Sequence, residues 1–348
     1  VLSIRPIHLT AAALAFGAFV ASHTQAQSLS VSENFAVDPA LHGWKIFGDS
    51  SLFAWDSANQ NLAVTWNSAQ TNSFFYYPLG TSLTRRDDFS IEFDMVLKDV
   101  ASGSESGKTG SMQMGLGFLN SAQATNTTWM RGSWGDAPNV AEFDYYAPGY
   151  YDFDGFIYNS AATASPSFIS GVNSTAYAPT ILSVYKLEFP TLVPIHVRMD
   201  YSGLTQTATL AITTNGVAVT TLPQLPLDAS HGLTATDDFH VDMFSVSSYS
   251  SQGDYYDSVL AHGTLSSLKF SAQVRPVATI AGALDGSGHW QASFFSRTNW
   301  NYTLERTSDF ASWKAVDGPA AGTGANLSLQ DTDLPSGAAF YRVRANAQ

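Results

Sequence analysis

The sequence contains no cysteine. Thiol nucleophiles, CxxC redox pairs and cysteine zinc sites are therefore excluded, and no disulfide can staple the fold. A chain of 348 residues can stand on packing alone. Charge is scarce too: 13% of the residues are Asp, Glu, Lys or Arg. Basic residues are the scarcer kind, 16 against 29 acidic ones, leaving a formal net charge of −13. Nucleic acid and anionic membrane both demand a basic face, so neither is expected as a partner. Only one apolar run stands out, LTAAALAFGAFVA at residues 9–21, and it is too short to cross a bilayer. With Arg5 before it and the small residues of SHTQA after it, residues 1–26 read as a signal peptide cut after Ala26. The expectation is an exported chain, secreted or held at the cell surface or in the periplasm, with no membrane insertion after cleavage. No long window after residue 26 has helical periodicity. No glycine-rich phosphate loop precedes a helix, so no organic cofactor is expected. There is also no G-x-S-x-G elbow of a serine hydrolase.

What the sequence has is alternation. With 45% hydrophobic and 13% aromatic residues, a sizeable core is available. NLAVTW (61–66), FSIEFDMVL (89–97), SMQMGLGF (111–118), VAEFDYY (140–146), PIHVRMDY (194–201), TATLAITTNG (207–216), FHVDMFSVSS (239–248) and TLSSLKF (264–270) all follow a period near two. Each is bounded by turn-forming residues. Asn215–Gly216 suits the two-residue turn of a hairpin. Strands with alternating faces need a second sheet to cover them, so an all-β sandwich is predicted over residues 29–272. After SAQVRPVATIAG (271–282), residues 277–348 are expected to form a small second β-sandwich. Trp44, Trp55 and Trp66, and in the small module Trp300 and Trp313, are expected in the cores.

The segment NVAEFDYYAPGYYDFDG (139–155) concentrates acid in a chain poor in it. On a strand, residues i, i+2 and i+4 share a face, so Glu142, Asp144 and Tyr146 point together and Phe143 and Tyr145 point the other way. Two carboxylates about 7 Å apart repel unless hydrated, protonated or bridged by a cation. A metal, a sugar-handling or catalytic role, and a plain solvated face all stay open, since Glu92 and Asp94 repeat the spacing with no special loop behind them. Trp129 and Trp134 precede the strand, and Tyr150 and Tyr151 follow it. They would offer a stacking platform for sugar rings, or pack over a sandwich edge. His196 and Arg198 share one strand face, as do His240 and Asp242. Both strands are expected beside 140–146, where they would complete a polar cleft.

The segments ENFAVDPALHGW, DDFSIEFDMVL, MQMGLGFLN, NVAEFDYYAP and LAHGTLSSLKF resemble the concanavalin A-like lectin/glucanase superfamily. That resemblance implies a jelly-roll sandwich that binds or cleaves polysaccharide. From the lectins it implies a Ca²⁺ site with Glu142 and Asp144 as carboxylate ligands, Tyr146 offering its backbone carbonyl, and Asp152 and Asp154 completing the loop. The chain departs from that pattern at Pro148, where the lectins have Asn, and at Tyr158–Asn159, where they have His. These departures weaken the transition-metal half of such a site; Ca²⁺ tolerates irregular oxygen donors. From the hydrolases it implies Glu142 as nucleophile with Asp144 tuning it. Their third carboxylate is replaced by Tyr146 and Ala147, so the acid would have to come from Asp152, Asp154 or Asp242. The C-terminal YTLERTSDFASW and FYRVRA look like the fibronectin-like accessory modules of secreted bacterial proteins. The expectation is a secreted, lectin-like protein recognising extracellular polysaccharide, with Ca²⁺ fixing the 142–154 loop. A glycoside hydrolase using Glu142 and Asp144, and a structural or adhesive surface protein, are the alternatives.

Overall fold

The computed structural model describes residues 27–126, 129, 139–151, 158–159, 162–169, 177–178, 187–219, 224–227, 238–251, 257–277, 279–333 and 337–348. The signal-peptide expectation falls on residues outside these. The described chain divides into two compact units, residues 27–275 and Pro276–Gln348.

The larger unit is almost entirely strand. Its first half runs β1 (Gln27–Glu33), β2 (Lys45–Phe47), β3 (Phe53–Asp56), β4 (Asn61–Asn67), β5 (Ser73–Thr84), β6 (Asp88–Ser102) and β7 (Gln113–Leu119), followed by a single helical turn, α1 (Ser121–Ala124). Then come β8 (Val140–Tyr146), β9 (Tyr150–Tyr151), β10 (Tyr158–Asn159), β11 (Thr163–Ile169) and β12 (Tyr177–Ala178). The unit ends with β13 (Pro194–Ser202), β14 (Thr207–Thr214), β15 (Val217–Ala218), β16 (Leu225–Pro226), β17 (His240–Ser248) and β18 (Val259–Val274). One nine-stranded sheet has the order β15-β14-β13-β6-β18-β4-β3, with β1 added to β18 and β16 to β14. A seven-stranded sheet has the order β12-β11-β8-β7-β17-β5-β2, and β9 and β10 form a separate ribbon. The hairpin expected at Asn215–Gly216 joins β14 to β15, and both turn residues have positive φ.

The two sheets meet through the apolar half of each alternation. In β6, Phe89, Ile91, Phe93, Met95 and Leu97 are buried, while Ser90, Glu92 and Asp94 lie on the other face. Phe93 packs edge-on against Phe143 of β8 at 5.4 Å between ring centroids, and Phe270 of β18 stacks on Phe244 of β17 at 4.6 Å. Burial of such a ring stabilises by about 1.5–3 kcal/mol relative to exposure. Trp44 and Trp66 are in this core as expected, but Trp55 stays partly exposed and donates its indole N–H to the carbonyl of Phe35.

In the small unit, β19 (Ala281–Leu284), β20 (Trp290–Phe295) and β23 (Asn326–Asp331) form one three-stranded sheet. The other comprises β21 (Trp300–Thr307), β22 (Lys314–Ala321) and β24 (Phe340–Ala347). Phe294, Trp300, Tyr302, Leu304, Tyr341 and Val343 belong to its core. Trp313 does not. It lies half-buried on the surface with the Arg342 guanidinium over its ring.

Candidate functional site

The acids of β8 sit on a face that alternation alone would leave to solvent. All seven residues of β8 are buried, as are all of its neighbours β7 and β11. Phe143 faces the other sheet, so Glu142, Asp144 and Tyr146 face away from it. Register extends this outer face sideways. Glu142 lies between Ser167 and Gly117, Asp144 between Ser165 and Gly115, and Tyr146 between Thr163 and Gln113. Beyond the glycines, Gly117 is opposite Ser245 and Gly115 opposite Ser247. The result is a polar floor of two acids, hydroxyls and glycines, with both acids fully buried.

The glycines explain how Glu142 fits. A Cβ at Gly117 would lie 2.3 Å from the Cα of Glu142. At Gly115 it would lie 2.7 Å from Glu142 Oε2 and 2.8 Å from the ring of Tyr249. The Glu142 side chain therefore runs across β7, where Tyr249 donates its hydroxyl to Oε2 at 2.5 Å. Ser167 donates its hydroxyl to Asp144 Oδ2. Ser245 and Ser247 bond to each other at 2.5 Å. On the inner face of the same strand, Tyr145 stacks on Phe189 at 4.3 Å, and its hydroxyl accepts the Phe189 N–H. Burial pushes this phenol up to about 12.

Of the aromatic residues expected to stack sugars, Trp129 is buried. Its ring lies 6.1 Å from Phe74 and 5.7 Å from Tyr249, and its carbonyl accepts from Asn72. It is a packing residue, not an open platform. Trp134 lies outside the described residues; Tyr150 and Tyr151 are described only as backbone of the ribbon. Asp242 is committed to α1, its carboxylate accepting the Ser121 N–H at 2.6 Å and the Ser121 hydroxyl at 2.9 Å. His240 is tied through its backbone to Asn120 and Asn139, which flank α1 and β8. β17 is in the same sheet as β8 but not beside it, because β7 lies between them, and both residues fasten the segment that leads into β8.

His196 and Arg198 need a correction: β13 does not lie beside β8. It belongs to the nine-stranded sheet, between β6 and β14. Val197 is opposite Phe93, whose ring reaches Phe143, so His196 and Arg198 point away from the seven-stranded sheet. There His196 pairs with Asp94 at 2.8 Å, and Arg198 pairs with Glu92 and Asp200. They form a solvated ladder on the far side of the sandwich.

The described residues do not fit a Ca²⁺ centre. The ion wants six to eight converging oxygens. Here Glu142 and Asp144 each already accept a hydroxyl proton, and among the described residues no group of three or more Asp, Glu and His side chains converges. Asp152 and Asp154 lie outside the described residues.

Tyr249, Gly115, Gly117 and the flanking serines were not singled out by sequence. Their signal is the period-two spacing in GLG and in SVSSYS, which puts small or polar residues on one strand face, but only pairing register shows that the two runs border Glu142.

No protein-family model matches the chain, and no curated protein matches it. Among solved structures the chain is similar to peanut lectin bound to a nonapeptide, at 16% identity and a TM-score of 0.41, with 71% of this chain and 98% of that one covered. It is similar to basic winged bean lectin with Tn-antigen at 13% identity and 0.42, with 71% and 98% covered. Lectin I from Ulex europaeus, in complex with the methyl glycoside of α-L-fucose, gives 10% identity and 0.37, with 71% and 98% covered.

Proposed function

We propose that this protein is an exported carbohydrate-binding protein whose polysaccharide site is built on the outer face of the seven-stranded sheet, over Glu142 and Asp144. The observation that supports this reading is the chemistry of that face. A sheet face covered only for stability is normally apolar, because each buried polar group must be matched and each buried charge paired. This one instead carries two acids, five serine and threonine hydroxyls and two glycines, a buried polar layer of the kind that would support a sugar site from beneath. The buried acids hold the floor in shape and position the groups above them. Trp134, Tyr150 and Tyr151 are the stacking residues of this proposal.

Complete burial of both acids favours a second reading, in which the polar layer only fastens the covering chain and the protein serves as a structural or adhesive surface component. A glycan array followed by calorimetry on the full chain separates the two. Binding that Glu142→Gln and Asp144→Asn each weaken, in variants that still melt cooperatively, supports the site. No binding to any polysaccharide at high concentration supports the structural reading. Release of reducing ends that Glu142→Gln abolishes would replace binding by hydrolysis.

A further inference from the structure

The small module carries a second surface with the chemistry of a ligand site. On the outer face of the β22-β21-β24 sheet, Phe310 packs at a tilt against Phe340, with ring centroids 4.0 Å apart, and lies 6.5 Å from Trp313. The Arg342 guanidinium covers one face of Trp313 at 4.1 Å. Glu305, itself buried, accepts a hydrogen bond from Arg342 at 2.7 Å and is ion-paired with Arg344 at 3.0 Å. Two guanidinium groups thus stand around one buried carboxylate, and the neighbouring acid, Asp309, is turned to the backbone N–H groups of Ala311 and Ser312. Among the described residues the ion pair of Arg344 runs through Nε, and the side chain is half-exposed, so its terminal nitrogens are the part that faces a ligand. Phe310 is 49% exposed and has φ +59°, a region bulky side chains rarely adopt. Its backbone is held there by Thr307, whose hydroxyl oxygen accepts the Phe310 N–H at 3.0 Å.

We propose that this strip, from Phe310 and Phe340 past Trp313 to Arg342 and Arg344, binds an anionic polysaccharide. The rings supply flat apolar faces for sugar rings, and the arginine fork takes carboxylate or sulfate in a paired geometry. Charge distribution favours the same class. Pro276–Gln348 holds five of the 16 basic residues and six of the 29 acidic ones, so the module is nearly neutral while the rest of the chain is strongly acidic. A polyanion is therefore repelled by the larger unit and tolerated here.

The test is affinity electrophoresis of the full chain through gels containing polygalacturonate, dextran sulfate or neutral dextran, the first two separating carboxylate from sulfate recognition. At least one polyanion should retard the protein, less so as salt is added. Phe310→Asn removes the ring while suiting the left-handed backbone; it and Arg344→Gln should each weaken retention roughly tenfold. Arg344→Lys keeps the charge and loses the fork, so it should weaken retention severalfold even if the other variants prove unstable. No retardation by either polyanion, equal retention of wild type and Arg344→Lys, or equal retention by neutral dextran would overturn the proposal.

Discussion

Tyr249 lies just beyond the end of β17 and reaches over β7 to bond the carboxylate of Glu142, a strand it does not pair with. The contact is possible because β7 offers glycine where a side chain would stand between them. Tyr249→Phe keeps the ring packing against Trp129 and Phe74 and removes the donor. Leaving a buried acceptor without its donor costs about 1–3 kcal/mol. The variant should lose stability of that order in a urea titration monitored by tryptophan fluorescence. A midpoint equal to wild type would mean that the bond contributes nothing.

The two glycines of β7 should respond differently to alanine. At Gly117 the added methyl meets the backbone of β8, with Glu142 Cα at 2.3 Å and the Ala141 carbonyl at 2.7 Å. Backbone paired on both sides cannot give way, so Gly117→Ala should destabilise by about 3 kcal/mol or more and abolish soluble expression. At Gly115 the methyl meets the Glu142 carboxylate and the ring of Tyr249, which can rotate. Gly115→Ala should cost about 1–3 kcal/mol, fold, and weaken glycan binding by displacing the carboxylate. Equal soluble yields of the two variants, or equal melting curves if both are soluble, would contradict this account of the floor.

This contrast shows how far the sequence could be read. Strand alternation is local, so the sandwich, the shared face of Glu142 and Asp144 and the core side of Phe143 were legible from period two alone. Which strands become neighbours is not local. PIHVRMDY and FHVDMFSVSS read alike, yet β13 went to one sheet and β17 to the other, and only pairing register places Ser245 and Tyr249 beside Glu142 rather than Arg198. Burial of both faces of β8 was equally hidden, because Tyr249, which reaches Glu142 on the polar face, comes from the end of a distant strand and leaves no pattern in β8 itself. Trp313 failed for a related reason: an indole on a strand-like stretch looks the same whether it enters a core or lies flat under an arginine.

Calcium removal tests the lectin-like expectation for residues 142–154. Each of the two β8 acids accepts a hydroxyl hydrogen bond and, among the described residues, no group of three acids or histidines converges, so EDTA is expected to leave the melting temperature of the full chain unchanged. A fall of several degrees that added Ca²⁺ restores, and Asp152→Asn or Asp154→Asn eliminates, would return the ion to the account with oxygen donors from that segment.

The charged ladder on the nine-stranded sheet makes a prediction in the acid range. Glu92 accepts from Lys269 at 2.9 Å and from Arg198 at 3.0 Å. The Lys269 hydrogen bond foremost, then the charges of Lys269, His196 and Arg198, holds its carboxyl below the usual glutamate range. A group whose folded pKa is depressed stabilises the protein above its unfolded value, roughly 4.3, and loses that contribution as pH falls through the folded value. Glu92→Gln should therefore be less stable than wild type at pH 7, by less than about 1 kcal/mol because the pair is partly exposed and screened. Below the folded pKa both chains carry a neutral group at this position, so the gap between their urea midpoints should close. The gap should also shrink at pH 7 in high salt. A difference that persists unchanged into acid would show that Glu92 acts through packing and not through its charge.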